Sequence, residues 1–178
     1  MISGFIVGYI CTHSSPAGDN HHPRRKHLKV SDILRVKGGT LYTCQPDESL
    51  ERAVQTMSEF DIGSLAVMEQ GRLVGMLTFR EVIHTLSKNG GTLAGQTVRG
   101  VMDGQPSSCS PDTELEEVRP LMLERHTRYM PVMDQHMLMG VISFYDVAKA
   151  VVDSQNFENK MLKAYIRDWP DEQAAAGS

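Results

Sequence analysis

Two short stretches of this chain pair a hydroxyl with an acid three residues later. Thr78-Phe79-Arg80-Glu81 follows Gly75-Met76-Leu77, and Ser143-Phe144-Tyr145-Asp146 follows Gly140-Val141-Ile142. Each reads as the end of a short apolar strand running into a helix. A hydroxyl at a helix start lies among free backbone N–H groups, where the helix dipole favours an anion. The same spacing serves the helix itself, because the hydroxyl caps N–H groups of the first turn and the acid returns to the cap residue. Arg80 lies inside the first stretch, and Arg128 lies ahead of Tyr129-Met130-Pro131-Val132. Two arginines converging on a phosphate would match its oxygens with their planar forks; singly, each also fits a solvated surface. Cys109 with His126 or His136 offers a nucleophile and a base, but no third, orienting group is evident. His13, His21, His22 and His27 sit on no element that would preorganise a metal site, and adventitious binding is the plainer reading.

The elements that position these residues occur twice. Cys44-Gln45-Pro46-Asp47-Glu48-Ser49-Leu50-Glu51 returns about 65 residues later as Cys109-Ser110-Pro111-Asp112-Thr113-Glu114-Leu115-Glu116, the same offset that relates the two hydroxyl–acid stretches. Each copy opens with a helical turn, at 30–34 and 98–102, followed by an extended piece at 41–44 and 107–109. Pro-Asp then starts a helix, whose apolar stripe is Leu50, Ala53, Val54 and Met57 in one copy and Leu115, Val118 and Met122 in the other. Pro120 removes an interior hydrogen bond, which predicts a kinked or shortened second helix. Strands at 65–68 and 73–77, and at 130–133 and 138–142, turn through 69–71 and 134–136, and a second helix follows Thr78 and Ser143. The pattern is an α/β unit, βαββα, built twice around small three-stranded sheets. Residues 28–88 and 98–152 form the repeats and 89–97 the linker. An amphipathic helix at 153–170 carries Phe157, Met161, Leu162, Tyr165, Ile166 and Trp169; it packs on its own module or offers a partner surface. Residues 1–27 read as a disordered leader and 171–178 as a disordered tail. The apolar start, Met1 to Cys11, leaves a weak signal, an interfacial arm or a misassigned start open.

A net charge of −4 and a pI near 6.0 argue against nonspecific nucleic-acid binding. No apolar run approaches the roughly 20 residues that span a membrane. Three cysteines suggest no disulfide framework, and Cys44 and Cys109, at matching places, read as small buried hydrophobes in a reducing cytoplasm. Paired methionines, Met57 with Met122 and Met68 with Met133, read as core filling rather than a groove.

The doubled βαββα unit, Pro-Asp before its first helix and the Gly-apolar-apolar-Thr/Ser-x-x-Glu/Asp junction together resemble the cystathionine-β-synthase-like (CBS) domain pair, or Bateman module, of the small stand-alone type. The resemblance covers about residues 28–152. It implies a pseudo-twofold pair that binds an adenosine compound (AMP, ADP, ATP, NAD or S-adenosylmethionine) between the repeats. It also implies a homodimer that regulates a partner protein without being an enzyme. In that family the junction hydroxyl faces phosphate or ribose and the acid takes the ribose diol, which here points to Thr78 with Glu81 and to Ser143 with Asp146. The family acid is usually Asp, which ranks the Ser143 junction above that of Glu81. Arg80 and Arg128 would meet phosphate, with Tyr145 and Gly63 at the corresponding places in the other copy. Adenine would lie near Tyr42-Thr43-Cys44 or Ser107-Ser108-Cys109. The departures from the pattern also fit a second reading, a constitutive interaction scaffold whose nucleotide sites have decayed.

Overall fold

The structure is a computed structural model that describes residues 27–167. The leader before His27, the tail and Trp169 lie outside the described residues, as do the side chains of Tyr165 and Ile166. The elements run α1 (Val30–Lys37), β1 (Thr43–Cys44), α2 (Leu50–Glu59), β2 (Ser64–Glu69), β3 (Arg72–Thr78), α3 (Phe79–Lys88), α4 (Val98–Val101), α5 (Leu115–Glu124), β4 (Tyr129–Asp134), β5 (Met137–Ser143) and α6 (Phe144–Arg167). The duplicated α/β plan is present. In the first copy β1 lies parallel to β2, which pairs antiparallel with β3. The second copy has a two-stranded sheet, β4–β5, instead of the expected three. Its extended piece contributes one residue, Cys109, which donates to Pro131 O at 3.2 Å and accepts from Met133 N at 2.8 Å.

Three other expectations shift. Pro120 does not shorten its helix, because α5 and α2 both have 10 residues. Burial of Leu115, Val118 and Met122 on its inner face holds α5 through the missing N–H. Pro46-Asp47 and Pro111-Asp112 form turns, and the helices begin three residues later, at Leu50 behind the cap Ser49 and at Leu115 behind Glu114. The helix after Ser143 does not stop near residue 152. It continues unbroken for 24 residues, so the separate terminal helix is the second half of α6.

The cores do not follow the sequence repeats. One gathers Leu50, Ala53, Met57, Leu65, Val67 and Leu77 with Val98, the first residue of α4 from the second copy. The other gathers Leu115, Val118, Met122, Met130, Val132 and Ile142 with Val30 and Ile33 of α1 from the first. Matching backbone bonds hold the exchange. Val30 N donates to Thr113 O (3.0 Å), Ser31 N to Pro111 O (2.8 Å) and Leu115 N to Leu28 O (2.9 Å). Their counterparts are Val98 N to Glu48 O (3.0 Å), Arg99 N to Pro46 O (2.8 Å) and Leu50 N to Gln96 O (2.9 Å). Met57 and Met122 are buried, one in each core, and Cys44 lies in the core of Met57, whereas Met68, Met133 and Cys109 are only half-buried.

Two glycines admit the exchanged segments. A Cβ on Gly75 would stand 2.7 Å from both Asp103 O and Met102 Sδ, and one on Gly140 would stand 2.8 Å from Leu34 Cδ2. At Gly75 the obstacle includes backbone, locked by the paired bonds of Met76 and Asp103 (2.9 Å each way). At Gly140 it is the tip of a flexible side chain. Gly75→Ala is therefore expected to cost about 1–3 kcal/mol of overpacking strain, and Gly140→Ala clearly less. Urea unfolding of both variants checks the order, and equal losses would count against it.

Candidate nucleotide clefts at the two strand-to-helix junctions

At the first junction β3 delivers Thr78 to the start of α3. Thr78 N donates to Glu81 Oε2 at 2.9 Å, the Thr78 hydroxyl donates to the same oxygen, and Thr78 Oγ1 accepts from Arg80 N at 3.2 Å. At the second, β5 delivers Ser143 to α6. Asp146 Oδ2 accepts from Ser143 N (2.7 Å) and Ser143 Oγ (2.8 Å), while Asp146 N donates to Ser143 Oγ (3.1 Å). Both stretches thus cap their helices, as their spacing predicts.

The copies part company at the acid. Lys37 Nζ lies 2.8 Å from Asp146 Oδ2 and 3.0 Å from Val141 O. Lys37 comes from the exchanged α1, which runs 8 residues and ends at Gly38 with φ of 82°. Its counterpart α4 has 4 residues, and among the described residues no ion pair is made to Glu81. Burial raises the Asp146 pKa, but the hydrogen bonds from Lys37 and Ser143 and the lysine charge outweigh it, leaving the carboxyl below its usual range. Sequence reading missed Lys37, since nothing local ties it to a residue more than a hundred positions away.

Two clefts open at these junctions. The smaller, about 530 Å³, is lined by Ser143, Tyr145, Lys37, Tyr42, Gly63 and Arg128 among others. The larger, about 1140 Å³, includes Thr78, Arg80, Glu81, Lys88, Ser107 and Arg128. Each cleft therefore mixes a junction from one repeat with first-strand and β-start residues of the other. Arg80 and Arg128 both line the larger one, and neither guanidinium has an ion-pair or hydrogen-bond partner among the described residues. The adenine expectation divides. Tyr42, tilted against Phe60 with ring centroids 5.0 Å apart, lines the smaller cleft, whereas Thr43, Cys44, Ser108 and Cys109 line neither. Thr43 and Ser108 are exposed.

Burial, helped by the charge of Glu48, pushes the Cys44 thiol up to about 12, and burial pushes Cys109 up to about 11. A raised thiol pKa is the opposite of what a cysteine nucleophile paired with histidine needs. His27 Nδ1 stands 3.2 Å from Glu114 Oε2 at the surface. Among the described residues no helix is long and apolar enough to cross a membrane.

The CBS domain family model matches residues 30–88 and again 98–153. This chain belongs to the CBS-domain family. It is 28% identical over 147 residues to the mitochondrial CBS domain-containing protein CBSX3 of Arabidopsis thaliana, covering 78% of this chain and 71% of that one. Among solved structures it resembles a CBS-domain protein of Agrobacterium tumefaciens, at 28% identity and a TM-score of 0.66, covering 69% of this chain and 98% of the other. It also resembles the CBS-pair protein CBSX2 of Arabidopsis thaliana in complex with AMP, at 25% identity and a TM-score of 0.59, over 71% and 98% of the two chains. The fold expected from the duplicated junctions is the fold of these CBS pairs.

The depressed Asp146 carboxyl gives a pH signature. A carboxyl lowered below its unfolded value of about 3.9 stabilises the fold above that pH, and the contribution is lost as pH falls through the folded value. Lys37→Met should cost roughly 0.5–1 kcal/mol at pH 7, a figure kept small because both partners touch solvent. Urea titrations at pH 7 and pH 3 check this: the gap to the unaltered protein should narrow as pH falls toward the lowered carboxyl value, and a gap that stays constant would refute the pairing.

Proposed function

We propose that this CBS pair is a non-enzymatic regulatory module. It binds an adenosine nucleotide of the AMP, ATP or NAD type between its repeats and passes the bound state to a partner protein. The observation that carries the reading is the pair of uncommitted guanidinium groups, Arg80 and Arg128, on the cleft that opens at Thr78. A phosphate there would meet two planar donors beside the positive start of α3. The bonds within the capping box fall on Glu81 Oε2, so its other oxygen is available to a ribose hydroxyl. This charge arrangement favours the Glu81 junction for phosphate, the reverse of the order suggested by the family acid alone. An AMP complex of a relative with the same fold supports the ligand class. Arginines select for phosphate, so AMP is favoured over the cationic S-adenosylmethionine.

The exposed apolar residues of α6, Val152, Phe157, Met161 and Leu162, support a homodimer or a docked partner on that face. The free thiols of Cys44 and Cys109 are compatible with a reducing compartment such as the cytoplasm. One observation favours the scaffold reading: the Lys37 contact satisfies Asp146 with no nucleotide needed at the second junction. That reading keeps the module constitutive.

Thermal unfolding with AMP, ATP, NAD and S-adenosylmethionine separates the two. A true ligand at about a hundred times its Kd should add about 2.7 kcal/mol of stability. Arg80→Ala and Arg128→Ala should each weaken AMP in the Thr78 cleft by about ten- to a hundredfold, the range for a charge-assisted bond. No shift with any of the four at millimolar concentration would leave the scaffold reading standing.

A further inference from the structure

We infer that Arg128 serves both clefts and can satisfy only one phosphate at a time, so that the two nucleotide sites of a chain exclude each other. This rests on the nucleotide reading above and adds to it a coupling between the sites.

Arg128 lies at the boundary between the two junctions and lines both clefts, together with Tyr129 and Phe144. Its backbone is pinned to the second junction, where Arg128 O accepts from Phe144 N at 2.9 Å. A perfectly symmetric pair would supply a second arginine from the first repeat, but that position is Gly63. The space is taken, since the Tyr129 hydroxyl stands 1.8 Å from where a Cβ on Gly63 would be. A side chain at 63 would therefore have to displace Tyr129, the neighbour of the one arginine that remains. The pair has one such guanidinium where its symmetry calls for two.

The other cations decide who depends on it. In the larger cleft Arg80 and Lys88 remain if Arg128 turns away. In the smaller cleft the only other lysine or arginine on the wall is Lys37, and Lys37 is committed to Asp146 at 2.8 Å. A bound monophosphate carries about −1.5 to −2 charges at neutral pH. Once such a group holds Arg128 from the larger cleft, the smaller one has no uncommitted cation among the described residues, and a second nucleotide brings further like charge. Occupancy of the first site thus lowers affinity at the second by the loss of a charged hydrogen-bond donor rather than by a change of shape. By linkage, the penalty acts equally in both directions.

The experiment is isothermal calorimetry on the full chain with AMP and with adenosine, followed by amide exchange with each ligand bound. One AMP per chain is expected, with any second at least tenfold weaker, and protection over Phe79–Glu81. Adenosine, lacking the phosphate, should fill both clefts without the penalty. Arg80→Glu, a substitution of an exposed side chain, repels phosphate from the larger cleft and releases Arg128. This variant should still bind one AMP, with protection moved to Phe144–Asp146. Two equal and independent AMP sites in the unaltered protein would overturn the inference while leaving nucleotide binding intact. So would loss of all AMP binding in Arg80→Glu, since the smaller cleft would then be no nucleotide site. Binding of neither AMP nor adenosine would overturn the nucleotide reading and this inference together.

Discussion

The exchange of opening segments is the constraint on which the rest of the molecule depends. Val30 and Ile33 complete the core of the second repeat, and Val98 completes that of the first. Neither repeat closes its own interior. The N–H groups at the starts of α2 and α5, which lack partners within their helices, are answered in part by carbonyls from the opposite end of the pair, Gln96 O for Leu50 and Leu28 O for Leu115. This arrangement places the junctions. β3 and β5 must each run beneath a segment from the other repeat, which is why both carry glycine at the crossing, and three residues further along the strand each delivers its hydroxyl to a helix start.

The inequality of the two sites grows from the same exchange. One opening helix is twice the length of the other, 8 residues against 4. The longer one carries Lys37 to Asp146 and closes an ion pair across the repeats; the shorter one leaves Glu81 to its capping bonds. Substitutions at Gly63, Arg80, Arg128 and Tyr145 then set the charge of each cleft. A nearly symmetric backbone thus carries two chemically different pockets, and the difference comes from helix length as much as from the acids.

Much of this was legible in the sequence because it is local. Strand pairs, turns and capping boxes depend on residues within a few positions of one another, and the 65-residue echo made each a repeated observation. What could not be read was the pairing of distant segments. The exchange of α1 and α4, the Lys37 contact and the shared cleft of Arg80 and Arg128 bring together residues that no periodicity links. Pro120 departs from expectation for a related reason: propensity speaks for an isolated helix, while burial of Leu115, Val118 and Met122 decides in the folded protein. The run of α6 through residue 152 departs from the expected boundary, since no Gly or Pro stands there to stop the helix.

The doubling of cap and grip bears on how such a protein changes over generations. Thr78 and Ser143 secure the starts of α3 and α6 whether or not anything is bound. Selection for a folded chain therefore preserves them after any selection for a ligand has lapsed, and their persistence in a lineage records only that the helices still begin there. The unpaired arginines are the opposite kind of character. Folding has no evident use for Arg80 or Arg128, so their retention or loss among descendants of a common duplicated ancestor would trace the history of recognition itself.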